Sequence, residues 1–194
     1  MSMVFLQRLP ESGLPEFRKR MQTAFSIAII EKYGSIGDEP IPPDKDINEN
    51  YYSKGAESFN MLSGGQKVGG VIVTINRVTN HNHLDFFFID PEFHSKGLGL
   101  AAWRAIEAQY PETEIWATGT PYFEQRNIHF YVNKCGFKIT KFYCKHHPDP
   151  HEALCDDGQL VGMEDGFFVF EKAMKQRNTK QSTPCGNDTS EAKL

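Results

Sequence analysis

LDFFFIDPEF at residues 84–93, followed directly by HSKGLG at 94–99 and LAAWRAIEA at 100–108, reads as an apolar strand, a turn, a glycine-bearing loop and an amphipathic helix. Pro91 has no N–H to give a sheet ladder, so the strand is expected to stop at Asp90. Gly97 and Gly99 permit positive φ and let several N–H groups converge. Leu98, Ala101, Ala102 and Ile106 recur at helical spacing, which seats the loop on a helix N-terminus. Unpaired N–H groups and the positive end of the helix dipole make such a terminus a place for phosphate. A dinucleotide fingerprint needs a third glycine at the right offset, and a P-loop needs Gly-Lys before Ser or Thr. The stretch has neither.

Outward from this stretch, strands are expected over Val4–Leu9, Ser58–Leu62 and Lys67–Arg77. The last two flank Ser63-Gly64-Gly65-Gln66, a hairpin signal, and Asn80-His81-Asn82 makes the next turn. Leu14–Tyr33 has a helical face of Phe17, Met21, Ala24 and Ala28 and a natural stop at Gly34. Residues 35–50 read as a loop or a short helix. Later come a strand over Glu114–Thr118, a helix over Phe123–Cys135 ended by Gly136, and strands over Phe137–Tyr143 and Phe167–Glu171. From Gln176 the chain is polar, with no apolar face to bury, and is expected to be a disordered tail.

The 194 residues are enough for one domain with a core, and 39% hydrophobic with 24% charged residues is an ordinary globular composition. A net charge of −4 speaks against nucleic acid and mildly for a cationic substrate. No apolar run reaches membrane-span length, and MSMVFLQRLP lacks a basic segment leading into an apolar signal core, so a cytoplasmic protein is expected. Cys135, Cys144, Cys155 and Cys185 form no CxxC pair and read as free thiols. Cys144, His146, His147, His151 and Cys155 cluster, but their spacing fits no structural zinc site. Asp44-x-Asp46-x-Asn48 opens like a calcium loop, yet Glu49 holds its glycine slot and Gly55 its glutamate slot. No metal is expected.

His94-Ser95-Lys96-Gly97-Leu98-Gly99 resembles the acyl-CoA pyrophosphate loop, Arg/Gln-x-x-Gly-x-Gly/Ala, of the GNAT N-acetyltransferase superfamily. The preceding IDPEF is similar to that family's strand exit. His94 departs from Arg or Gln, which weakens one side-chain phosphate contact and leaves the backbone cradle intact. FYVNKCGF at 130–137 resembles the family's second CoA-side motif, L-Y-x-K-x-G-F, with one extra residue between Tyr131 and Gly136. Glu124 replaces the Asn usual two helical turns before the tyrosine, and Asn127 lies one turn before it. A one-residue shift turns a helical side chain by about 100°. The resemblance covers about residues 3–173. It implies an α+β, three-layer α/β/α fold with a mixed, mostly antiparallel sheet of about seven strands, as one domain over 1–175 with 176–194 as the tail.

What the resemblance implies chemically is an acetyl-CoA-dependent N-acetyltransferase. Pantetheine would lie like an added strand beside Phe87, Phe88 and Ile89, where a bulge would aim an N–H at the thioester carbonyl. The CoA site would continue over His94, Ser95, Lys96, Gly97, Leu98, Gly99 and Leu100, with Asn127. Tyr131 would protonate the leaving thiolate. His83 and Asp85 stand at i, i+2 on one face entering the organising strand, and an imidazole suits the removal of an ammonium proton. A water chain could do the same work. The acceptor, a small-molecule or peptide amine, would sit between residues 35–55, the strand splay at Ile89 and Trp116, and residues 144–165. A homodimer is left open, and a membrane partner is not expected. The rivals are a CoA-holding module without turnover and an acyltransferase using a longer donor.

Overall fold

Seven strands hydrogen-bond into one sheet in the computed structural model, which describes residues 3–35, 39–148 and 166–174. They are β1 (Phe5–Arg8), β2 (Ala56–Ser63), β3 (Gln66–Thr74), β4 (His81–Ile89), β5 (Ile115–Pro121), β6 (Lys138–Tyr143) and β7 (Phe167–Ala173), in the order β1-β2-β3-β4-β5-β7-β6. Each neighbouring pair is antiparallel except β4 with β5. Helices α1 (Leu14–Tyr33) and α2 (Asp44–Tyr52) cover one face, and α3 (Leu98–Gln109) and α4 (Gln125–His129) the other. This is the three-layer, mixed and mostly antiparallel arrangement expected from the sequence. Among the described residues no helix is long and apolar enough to cross a membrane.

Two cores hold the layers together. Leu14, Phe17 and Met21 of α1 and Ile47 of α2 bury against Ile72 and Phe88. On the opposite face Leu98, Ala102, Trp103 and Ile106 of α3 pack on Val71, Val73, Leu84, Trp116 and Phe170. Each such large side chain contributes about 1.5–3 kcal/mol when buried, so these stripes decide which way each helix faces.

A bulge in β4 lets both cores draw on one strand. Ile72 pairs with Phe86 and Val73 with Leu84, so Asp85 is an extra residue with no partner opposite. Simple alternation would put Phe86 and Phe88 on the face of Leu84. After the bulge Phe86 and Phe88 turn toward α1, while Phe87 and Ile89 join Leu84 against the α3 layer. The register shift thus falls at Asp85, ahead of the Phe87–Ile89 stretch where the sequence reading puts it.

Three local expectations change. β4 begins at His81, because the Asn76 side chain accepts the N–H groups of Val78 and Thr79 and completes the turn before Asn80. Residues 44–52 form α2, anchored by buried Ile47. The helix expected over Phe123–Cys135 is α4 followed by a π-helical turn, Phe130–Cys135. Gly136, at φ 81, gives its N–H to the Tyr131 carbonyl five residues back, and the Phe137 N–H reaches the same oxygen at 3.0 Å. The extra residue before Gly136 is absorbed in that wider turn. The expected tail, and His151 and Cys155 of the Cys/His cluster, lie outside the described residues.

Candidate active site

The parallel rungs between β4 and β5 are His81–Ile115, Asn82–Trp116 and His83–Ala117. Past Ala117 the strands part, β4 staying with β3 and β5 with β7. The Thr118 hydroxyl donates to the Leu84 carbonyl at 2.9 Å and closes the base of the fork. Trp116, expected on the wall of the splay, is instead fully buried in the core below it. The Asp90 N–H donates to Val68 O at 3.0 Å. Antiparallel alternation from that pair turns the backbone groups of Phe88 and Phe86 to β3, and those of Phe87 and Ile89 into the fork. Ile89 O accepts His94 Nε2 at 2.7 Å, so Phe87 is the residue with both backbone groups free toward the fork. Phe88, expected to share that role, lines the site with its ring only.

At the loop, Gly97 adopts φ 73 immediately before α3, a conformation costing a side-chain-bearing residue about 1–2 kcal/mol. Gly99 is not left-handed, contrary to the expectation. It lies in the first turn of α3, where a Cβ would stand 3.3 Å from the Phe130 ring. Phe130 stacks on Phe87 at 5.7 Å. The N–H groups of Leu98, Gly99 and Leu100 have no acceptor within the helix, the first intrahelical bond being Ala101 N–H to Gly97 O. His94 Nδ1 accepts from Arg126 Nη1 at 3.0 Å. A guanidinium only donates, so the imidazole hydrogen is on Nε2 and points to Ile89 O. Lys96 turns back to Glu92 O at 2.9 Å, over the Phe93 ring, and does not line the cavity.

A cavity of about 740 Å³ joins these parts. His94, Ser95, Gly97, Leu98, Gly99 and Leu100 line one end, with Asn127 of α4, and Phe87, Phe88 and Ile89 line the middle. Ala24, Phe25, Ala28 and Glu31 of α1 line the other end; the sequence reading named Ala24 and Ala28 as a helix face and gave none of the four a place in the site. Phe87 belongs to the α3 layer and Phe88 to the α1 layer, so the cavity passes through the fork from one face of the sheet to the other.

The expected catalytic residues lie off that wall. Tyr131 is buried beside Thr118 at the base of the fork. Burial pushes that phenol far above its ordinary pKa and keeps it protonated. His83 Nδ1 meets Asp85 Oδ1 at 2.7 Å, and Asp85 Oδ2 accepts the Thr74 hydroxyl at 2.8 Å. The i, i+2 pair therefore meets, but neither residue lines the cavity. Burial pushes the Cys135 thiol up to about 12, so it stays a thiol rather than a nucleophile. Glu124 does line the cavity, half-buried. Burial raises its carboxyl pKa, Arg126 opposes that, and Glu31 adds to it. Among the described residues no group of three or more His, Cys, Asp or Glu is placed to hold a metal.

An open mixed sheet forked at its one parallel pair, with a glycine loop capping the helix beside the fork, defines an acyl-CoA transferase type of fold. Residues 21–137 match the family model of the acetyltransferase (GNAT) family, and the chain belongs to that family. It is 52% identical over 178 residues to uncharacterized protein YrkN of Bacillus subtilis (strain 168), across 90% of this chain and 96% of YrkN. The crystal structure of the ribosomal-protein-S18-alanine N-acetyltransferase from Escherichia coli is similar with a TM-score of 0.64 at 14% identity, covering 92% of this chain and 98% of that one. A Bacillus subtilis acetyltransferase in complex with CoA is similar with a TM-score of 0.59 at 17% identity, covering 90% of this chain and all, 100%, of that one.

Proposed function

We propose that this chain transfers the acetyl group of acetyl-CoA to a primary amine of a small molecule or peptide. The observation that carries the reading is the cavity through the fork, with a phosphate-type helix terminus at one end and a carboxylate-bearing wall at the other. In this reading the N–H groups of Leu98, Gly99 and Leu100 take the pyrophosphate. Pantetheine pairs with the free Phe87 N–H and C=O as an added strand. The thioester lies in the fork beside Phe87, whose free N–H is the donor within reach of its oxygen. Tyr131, held protonated, supplies the thiolate with its proton from the base of the fork. For the ammonium proton the sequence proposes His83, backed by Asp85; the cavity wall offers a carboxylate instead.

The test is release of free thiol from acetyl-CoA across a panel of amines, run beside calorimetric binding of CoA. Thiol release that depends on one class of amine supports the transfer. Tight CoA binding with no release from any amine would leave a CoA-holding module. Release from longer acyl-CoA alone would move the reading to another donor.

A further inference from the structure

We infer that Glu124 is the general base of the transfer, taking a proton from an acceptor that enters the cavity as an ammonium between Glu124 and Glu31. This rests on the acetyl-transfer reading above and names its substrate class, a basic primary amine. The ionisable groups on the cavity wall are Glu31 and Lys32 of α1, His94 of the loop, Glu124, Arg126 of α4 and Lys134 of the π-helical turn. Lysine and arginine arrive protonated and have only donors. His94 has both ring nitrogens engaged, by Arg126 and by Ile89 O. Two carboxylates are left.

Of these, Glu31 is exposed and Glu124 is half-buried. The Glu124 carboxylate takes no hydrogen bond or ion pair from the described residues, and the residue lines the cavity. Its backbone is fixed at both ends, the N–H by Pro121 O at 3.1 Å and the carbonyl by the Ile128 N–H at 3.0 Å. It follows β5 by three residues, which sets it on the arm of the fork opposite Phe87. Burial raises its carboxyl pKa, Arg126 opposes that and Glu31 adds to it, and a raised pKa makes a carboxylate a stronger base.

The proton balance closes without another reactant. The ammonium gives one proton to the Glu124 carboxylate, and the free amine attacks the acetyl carbon, forming the C–N bond. The tetrahedral adduct expels CoA thiolate as the C–S bond breaks. The thiolate is protonated, and the second proton of the amine nitrogen replaces the one it takes. Glu124 then returns its proton to water.

The experiment compares wild type with Glu124→Gln, using the best alkylamine of the panel and its β,β,β-trifluorinated counterpart, whose nitrogen is largely neutral at about pH 7.5. Glu124→Gln is expected to bind CoA like wild type and to lose roughly 10²-fold in kcat/KM for the alkylamine at neutral pH. The flat part of the wild-type pH profile becomes a line rising about tenfold per pH unit toward the pKa of the amine. For the fluorinated amine the loss shrinks to less than about fivefold, because no proton must be removed before attack. Glu124→Asp, which keeps the carboxylate, recovers part of the rate. Equal losses for both amines, or a flat region that disappears in His83→Gln rather than Glu124→Gln, would overturn the role of Glu124. A wild type that binds CoA but releases thiol to no amine would overturn the acetyl-transfer reading itself.

Discussion

Arg126 on α4 donates from Nη1 to Nδ1 of His94 on the glycine loop, at 3.0 Å. His94 stands where the resembling loop carries Arg or Gln, and the missing guanidinium arrives at the same place from another element. Arg126 and His94 both line the cavity at the end where the N–H groups of α3 are open. Arg126→Gln is expected to weaken CoA by about tenfold and to flatten the salt dependence of binding. Calorimetry at low and high salt reads both; equal affinity at low salt would reduce Arg126 to a prop for His94.

The two loop glycines are required for different reasons, and substitutions separate them. Gly97→Ala meets nothing within 4 Å but must hold φ near 73, so it is expected to cost about 1–2 kcal/mol of stability. Gly99→Val forces its side chain onto the Phe130 ring and disturbs the stack on Phe87, so it is expected to lower CoA affinity tenfold or more. Denaturant melts and CoA titrations of both variants check this. Wild-type binding by a folded Gly99→Val protein would remove the loop from the CoA site.

Tyr131→Phe keeps the ring in its aromatic surroundings of Phe130, Phe137 and Phe170 and removes only the hydroxyl. CoA affinity is expected to hold while kcat falls roughly 10²-fold, the scale of one proton-transfer group. If kcat is unchanged, the phenol has no part in the proton transfer, and solvent protonates the thiolate.

Arg20 of α1 ties that helix to the exit of β4. Its Nη2 lies 2.5 Å from Asp90 Oδ2 and its Nε 3.2 Å from Oδ1, while Nη1 reaches Asn60 Oδ1 at 3.1 Å. The two side chains are 18% and 7% exposed, so removing one leaves the other charge nearly dry. Arg20→Met and Asp90→Asn are each expected to cost on the order of 3 kcal/mol. The double variant should cost clearly less than the sum. Strict additivity in urea melts would show that the pair is not coupled.

Glu124 also links stability to pH. Its folded-state pKa is raised, chiefly by burial, so its contribution is fully present below the unfolded carboxyl pKa and is lost as pH rises through the folded value. Glu124→Gln, which cannot ionise, is therefore expected to melt above wild type at neutral pH, with the gap closing as pH falls toward the ordinary carboxyl range. A gap independent of pH would mean the carboxyl is not strained by burial.

The strand, loop and helix of residues 84–108 were legible from the chain alone, because their signals are local: apolar runs, a proline without an N–H, and helical spacing after Gly97. The family resemblance rested on that stretch, on residues 127–137 and on the order of elements along the chain, and the layer order was what the resemblance implied. Even the π-helical turn was foreshadowed, as one residue too many between Tyr131 and Gly136. The bulge at Asp85 was not legible, because register belongs to a pair of strands and β3 sets it. Trp116 looked like a wall of the splay until pairing with Asn82 placed it below the fork. Asp85 and His83 could be picked by type and spacing and Tyr131 by the family resemblance of its segment, but the path of the cavity decides which groups it meets. Arg126 beside His94 and Glu124 facing Glu31 depend on how α1 and α4 dock on the sheet, and that docking is a sum of distant side-chain contacts that no local spacing encodes.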